Sequence, residues 1–252
     1  MKFVTFNIRC DWEQDGANCF KFRKPLILKK IAAEQPDILC FQEVLPHQAL
    51  WLKENLTDYT VIGCGRGAVL DDEQMTVAFR KEKYNLIEMR TFWLSETPYV
   101  PASRYAEQSD CPRTCTEAVL LEYATGKVFR VVNTHLDHIG VGARRLGLDQ
   151  ILKHLAKVEL FPDAATILCG DFNAEPNGEE MKIFDDHPEY ACASAGLGIT
   201  FHGYMKAKHP ETIDYIYIKG PVEGKGAVKW TDEENGVFLS DHYPVCAELT
   251  LE

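Results

Sequence analysis

Ile167-Leu168-Cys169-Gly170-Asp171-Phe172-Asn173 carries an apolar strand into a carboxylate and, two residues on, a carboxamide. In extended backbone, side chains two apart share a face, so Asp171 and Asn173 point together while Phe172 turns into packing. An earlier segment echoes this one, with Ile38-Leu39-Cys40 leading through Phe41-Gln42 into Glu43. Each half of the chain thus offers a hydrophobic strand that ends in a carboxylate, and the two carboxylates are expected near the same sheet edge. A plain turn at a strand exit would use the same Asp-x-Asn letters, so the weight falls on what the other strands carry.

Outward from these segments, residues 2–8 alternate, with Val4, Phe6 and Ile8 on one face and Phe3, Thr5 and Asn7 on the other. Further strands are predicted over 38–42, 59–62, 75–79, 86–94, 116–122, 128–134, 166–169, 213–218, 227–230 and 243–249. Helical stripes are predicted over 22–34, closed by Pro36, over 46–56, with Leu50 and Leu52 as main apolar content, and over 144–160. Strands outnumber long helices, which favours two packed sheets with helices outside them over one alternating open sheet. No Pro/Gly/Ser-rich linker divides the 252 residues, so one catalytic domain over 1–252 is expected, with 251–252 assigned no function as a tag remnant. Long loops over 64–73, 95–111 and 173–200 are expected to surround a site.

The net charge of −11 opposes charge-driven adhesion to nucleic acid or anionic lipid, and with it stable nonspecific binding of duplex DNA. A carboxylate cluster that holds a divalent cation still attracts phosphate locally. The start of the chain lacks the features of an export signal, and no apolar run is long enough to span a bilayer. A cytoplasmic monomer without a membrane anchor is therefore expected. Of nine cysteines, Cys40, Cys169 and Cys246 lie in strand-like apolar runs and read as buried. Cys111 and Cys115 have no matching second pair, which weighs against structural zinc.

Three more polar clusters end strands. In Ser240-Asp241-His242, adjacent side chains diverge, so Asp241 suits a hard cation and His242 a phosphoryl oxygen or water. In Asn133-Thr134-His135-Leu136-Asp137-His138, Asn133 and His135 share a face, and His135 could donate to a phosphate oxygen; His138 is read as a solvent-facing or supporting residue. Asp214, inside an apolar strand, needs a donor partner, and His242 is an attractive one. Asn7, Glu43, Asp171, Asn173 and Asp241 together are all oxygen donors, a set suited to Mg2+, with Mn2+ as substitute, rather than zinc.

At these residues the sequence resembles the endonuclease/exonuclease/phosphatase superfamily. The likeness runs through Thr5-Phe6-Asn7, Phe41-Gln42-Glu43, Asn133-Thr134-His135, Gly170-Asp171-Phe172-Asn173, Ile213-Asp214-Tyr215 and Ser240-Asp241-His242. It implies a four-layer α/β sandwich, two mixed β-sheets face to face with helices on the outer faces. It implies that Glu43 holds the principal metal, with Asn7 and Asp241 completing that network. Asp171 and Asn173 are implied to position and activate water, and His135 and His242 to stabilise phosphoryl oxygens, with Asp214 orienting His242. The segments 92–98 and 112–116 look like a bacterial subgroup near the CCR4-like and neutral sphingomyelinase branches.

Arg113 is a candidate phosphate clamp, and Asn133, His135 and Asn173 are candidate substrate contacts. Arg104 and Arg144 are weaker candidates, Trp93 reads as core, and Thr200-Phe201-His202-Gly203 reads as a packed loop beside the pocket. Asn7-Ile8-Arg9 departs from the acid that some abasic-site enzymes carry two residues after the asparagine, and no basic run is present to hold a nucleic-acid backbone. The expected activity is thus Mg-dependent phosphodiester hydrolysis on a small molecule or short single-stranded nucleic acid. The alternatives are a phosphomonoesterase for a sugar, inositol or nucleotide phosphate, and a noncatalytic binding module on the same fold.

Overall fold

Alternating strands bury both of their faces here, because two sheets stack against each other and helices cover the outer sides. The structure is a computed structural model that describes residues 1–252. Its strands are β1 (Lys2–Asn7), β2 (Ile38–Val44), β3 (Tyr59–Ile62), β4 (Gln74–Arg80), β5 (Tyr84–Trp93), β6 (Thr114–Glu122) and β7 (Val128–His135). They continue with β8 (Ala165–Asp171), β9 (Ala191–Cys192), β10 (Asp214–Lys219), β11 (Val222–Lys229), β12 (Glu233–Glu234), β13 (Val237–Phe238) and β14 (Val245–Leu251). The helices are α1 (Phe20–Glu34), α2 (Pro46–Asn55) and α3 (Val141–Leu155), with 3-10 turns at Glu13–Asn18 and Glu179–Asp186.

One sheet runs β11-β14-β1-β2-β4-β3 and the other β5-β6-β7-β8-β10-β9. The echo in sequence is an echo in wiring. Parallel β1–β2 is flanked by antiparallel β14 and β4, as parallel β7–β8 is flanked by antiparallel β6 and β10. The expected sandwich of mixed sheets with outer helices is the fold observed.

Strand alternation sorts the core into three layers. Phe3, Ile38, Cys40, Val77, Ala118, Phe129, Val131, Ile167, Cys169 and Ile216 meet between the sheets. Val4, Phe6, Leu39 and Phe41 face the other way, onto Phe20, Ile27 and Ile31 of α1 and Leu52 of α2. Val132, Leu168 and Tyr215 pack outward onto Leu148, Ile151 and Leu152 of α3. Cys40, Cys169 and Cys246 are buried, as their apolar context implies.

Several predicted details differ. Helix α3 runs from Val141 to Leu155, starting before 144 and ending short of 160, and Leu160 beyond it stands exposed with its carbonyl accepting from Arg130. Leu50 is exposed as well, and Ala49 with Leu52 forms the buried side of α2. Leu251 continues β14 and pairs with Val222. Glu43 and Asp171 end strands of different sheets, so they meet across the sandwich rather than along one sheet edge.

Gly170 closes β8 at a place no side chain can share. Its φ is +142°, and a Cβ there would lie 1.8 Å from the Thr134 carbonyl oxygen of β7. Gly170→Ala should therefore push β7 from β8 and cost about 3 kcal/mol or more, the scale of a severe core clash. Urea unfolding measures this, and a loss below about 0.5 kcal/mol, typical of a neutral surface change, would contradict it.

Candidate active site

On the face between the sheets, each central strand changes character towards the same end. Phe3 gives way to Thr5 and Asn7, Ile38 and Cys40 to Gln42, Phe129 and Val131 to Asn133 and His135, Ile167 and Cys169 to Asp171, and Ile216 to Asp214. The i, i+2 rule makes each change a polar step on one inward face. Glu43 would face outward by that rule, but β2 and β4 change register between Phe41 and Val44 and Glu43 takes φ 60°, which aims it into the cleft. Arg9 and Asn173, at φ 59° and 49°, are likewise left-handed. Such backbone is costly for non-glycine residues and concentrates at functional sites.

The two carboxylates are tied by one amide. Asn7 Nδ2 donates to Glu43 Oε1 at 3.1 Å and to Asp171 Oδ2 at 3.0 Å. Asp171 Oδ1 accepts the Asn173 N–H at 2.9 Å, and Oδ2 lies 3.4 Å from His135 Nε2 and 3.8 Å from His242 Nε2. His242 Nδ1 meets Asp214 Oδ2 at 2.9 Å, which is the pairing expected from sequence.

Environment pushes the titrations of these groups apart. Burial, then the Asp214 charge, raises Asp171 to about 7 against the pull of His242 and its hydrogen bonds. Burial would depress His242, but the Asp214 charge and hydrogen bond, followed by the Asp171 and Asp241 charges, outweigh it and raise it to about 10. His135 is driven well below the usual imidazole range by burial and then by Arg113 and Arg66. One imidazole is therefore a cation and the other neutral at neutral pH, a split that assigns them different work.

Arg9 lies between the remaining acids. Its Nε is 3.5 Å from Asp241 Oδ2, its Nη1 is 4.0 Å from Glu43 Oε2, and it also pairs with Asp15. Burial opposes ionisation of Glu43, yet Arg9, the Cys10 N–H, His242 and Asn7 hold it at about 2; burial and Glu43 push Asp241 up. Arg9 already supplies a cation between Glu43 and Asp241, and the all-oxygen character of the two carboxylates is compatible with a hard divalent ion. Asn7 offers Glu43 and Asp171 its amide nitrogen while its oxygen accepts the Arg9 N–H, so as placed it is a tether and makes no contact with Asp241. Asp171, Asp214 and His242 also present donor atoms within 4.8 Å of one another, a grouping able to hold a divalent cation. The buried Arg23 guanidinium donates to the carbonyls of Ile8, Arg9, Asn18 and Leu239 and so braces the Arg9 loop.

These groups line a cleft of about 440 Å³ with Arg9, Glu43, Arg66, Glu73, Arg113, His135, His138, Asp171, Asn173, Asp241 and His242. Asn133 does not reach it. It is fully buried, accepts from Gln42 Nε2 at 2.7 Å and donates to the carbonyls of Phe41 and Thr76, so it joins the sheets instead of contacting substrate. Arg104 binds Ser109 and Asp110, and Arg144 binds Glu180, both outside the cleft. Trp93 is core, and its Nε1 donates to the Arg66 carbonyl. Phe201 lines the cleft and packs on His242, while His202 stacks on Tyr243.

Arg66 and Glu73 are cleft residues that the sequence reading did not single out, and Arg9 entered it only as a departure from the acid of some abasic-site enzymes. Arg66 and Glu73 sit in one of the three loops expected around the site, and Arg9 lies two residues beyond Asn7. A larger groove, about 520 Å³ between α3 and the 3-10 turn at Glu179–Asp186, contains none of the predicted residues.

A family model described as Endonuclease/Exonuclease/phosphatase family matches residues 4–242. The chain belongs to that family. A crystal structure of the endonuclease/exonuclease/phosphatase from Bacteroides vulgatus is 32% identical, covers 100% of this chain and 98% of its own, and has a TM-score of 0.92. A functionally unknown conserved protein from Enterococcus faecalis V583 is also 32% identical, with complete coverage of both chains and a TM-score of 0.90. A mannosyl-6-phosphatase from Bacteroides thetaiotaomicron VPI-5482 is 26% identical over 100% of both chains, at 0.89. Family and site together make this protein a metal-dependent hydrolase of phosphate esters. No helix is long and apolar enough to cross a membrane.

A raised Asp171 pKa means that the folded protein holds a proton the unfolded chain would release. Ionising Asp171 therefore removes stability as pH rises from about 4, the ordinary value, to about 7. In chelator, Asp171→Asn should gain melting temperature relative to the parent across that window. A difference that does not change with pH would contradict the assignment.

Proposed function

We propose that the protein hydrolyses a small, soluble phosphate ester by direct attack of water on phosphorus. The observation that carries this reading is the single carboxylate hub, Asp171, within hydrogen-bonding reach of Asn7 and close to both imidazoles. Asp171 would accept a proton from the attacking water, whose oxygen bonds to phosphorus as the ester oxygen departs. Its pKa near 7 suits a base working at neutral pH. The Asn173 N–H holds the carboxylate, and the Asn173 side chain, anchored on the Leu136 carbonyl, fixes the turn beside it.

His242, kept cationic by Asp214, would donate through Nε2 to the charge growing on the phosphoryl oxygens. His135, kept neutral, would contribute one N–H. Glu43 and Asp241 would hold Mg2+, or Mn2+ in its place, with Asn7 keeping Glu43 and Asp171 apart and oriented. Such an ion polarises a phosphate oxygen and stabilises the departing alkoxide. No covalent enzyme intermediate is needed.

Between diester and monoester, two observations favour the monoester. The cleft is the size of a small-molecule site, and the relative named mannosyl-6-phosphatase is similar over the whole chain. A diester with a short single-stranded nucleotide is the second reading. A place near the CCR4-like or neutral sphingomyelinase branches rests on two short segments and adds no substrate to either.

Purified protein with magnesium should turn over p-nitrophenyl phosphate and sugar 6-phosphates faster than bis-p-nitrophenyl phosphate; the reverse order restores the diester reading. Asp171→Ala should lower kcat by about 10²- to 10⁴-fold, the usual contribution of a positioned base. Unchanged turnover in that variant would sink the mechanism. Glu43→Gln should raise the magnesium concentration needed for half-maximal rate, and a metal requirement unaffected by the change would place the ion elsewhere.

A further inference from the structure

Buried arginines in this protein come with partners at hydrogen-bond distance on a carboxylate, carbonyl or amide oxygen, with one exception. Arg130 pairs with Glu117, Arg144 with Glu180, Arg66 with Asp72 and Glu73, Arg23 with four carbonyls, and Arg80 with Gln35 and the Pro36 carbonyl. Arg113, only 4% exposed, has no carboxylate at hydrogen-bond distance. The nearest, Asp137 Oδ1, is 3.8 Å from Nε, and Asp137 is already engaged by Ser109, Ile139 and Gly140. Arg113 Nε has no hydrogen-bond partner at all.

Its one side-chain hydrogen bond aims a second donor. Arg113 Nη2 is 2.9 Å from His138 Nδ1, and because a guanidinium can only donate, that nitrogen accepts and the imidazole proton resides on Nε2. His138 is half-exposed at the cleft, and burial followed by Arg113 lowers its pKa, which keeps it neutral. Arg66 adds a second guanidinium to the same wall, fixed through its carbonyl by Trp93. Burial and then the Arg66 charge lower the Arg113 pKa, the mark of two like charges held close. A buried charge whose ion pair is this long is poorly compensated, so a ligand that brings a closer anion fits such an arrangement.

Arg113 makes no hydrogen bond or ion pair with Asn7, Glu43, Asp171, Asp241 or His242. We propose that Arg113, with His138 beside it and Arg66 behind it, forms an anion subsite flanking the hydrolytic centre, and that the substrate is a small phosphate ester bearing a second phosphate that docks there. The substrate claim rests on the phosphoester reading above; the anion subsite does not. Guanidinium and imidazole N–H groups would share the oxygens of the second phosphate, while His135 and His242 address the first.

The test is equilibrium binding of matched pairs, glucose 6-phosphate against glucose 1,6-bisphosphate and adenosine 5′-monophosphate against adenosine 3′,5′-bisphosphate, with calcium as the divalent ion. In at least one pair the bisphosphate should bind about tenfold tighter or better, the scale of a hydrogen bond to a charged group. Arg113→Gln should bring that ratio close to one, and Arg113→Lys should restore part of it. The ligand-free melting temperature of Arg113→Gln should hold or rise, because a poorly compensated buried charge is gone. A ratio near one in both pairs for the parent protein, or a ratio that survives in Arg113→Gln, overturns the proposal. A preserved ratio in a protein that turns over no ester would sink the hydrolase reading and leave the subsite standing. Turnover of monophosphates with no such ratio would do the opposite.

Discussion

The site exists because a sheet interface that is apolar for most of its depth becomes hydrogen-bonded at one end. Gln42 from one sheet donates to Asn133 of the other at 2.7 Å, and Asn133 donates back to the Phe41 and Thr76 carbonyls. One layer nearer the opening, Asn7 spans the same gap between Glu43 and Asp171. Buried amides are tolerable only when their bonds are met, so this seam sets the spacing of the sheets there. Everything catalytic is then placed by strand ends whose separation is fixed.

That geometry forces acids together in a region with little water. Asp171 responds by holding its proton to about neutral pH, and Glu43 stays ionised because Arg9 and two N–H donors face it. Burial disfavours the charged form of both imidazoles, but the Asp214, Asp171 and Asp241 charges outweigh it at His242, whereas the Arg113 and Arg66 charges add to it at His135. Positive and negative walls of one small cleft thus set different charge states on two chemically identical side chains.

Most of this arrangement was legible in the sequence, since strand alternation reports both which face a residue takes and where a face turns polar. Thr5 and Asn7 following Phe3, or Asp171 following Cys169, announce the polar end without any knowledge of the other sheet. The Asp214–His242 pair followed from the cost of an unpartnered buried acid. What alternation cannot report is depth. Asn133 and His135 share a face, yet two residues separate a sheet-bridging amide from a cleft-lining imidazole. It also fails where the backbone leaves the strand geometry, as at Glu43 and Arg9, and in loops such as the one carrying Arg66, whose position depends on Trp93 from a distant strand.

The charge of the cleft explains why an acidic protein can still work on phosphate. Glu43, Glu73, Asp171, Glu211 and Asp241 line it against Arg9, Arg66 and Arg113, so five carboxylates face three guanidiniums. Burial and the nearby Glu43 charge raise Glu73 to about 7 despite Arg66 and Arg113, one sign of that excess. Protons on Asp171 and Glu73 relieve the repulsion when no metal is bound, but a proton on Asp171 would also remove the base we propose. A divalent ion between Glu43 and Asp241 would relieve it without that penalty, releasing Asp171 to ionise and making the cleft attractive to an anion. On the proposed mechanism, metal, base and phosphate would in this way be coupled through electrostatics.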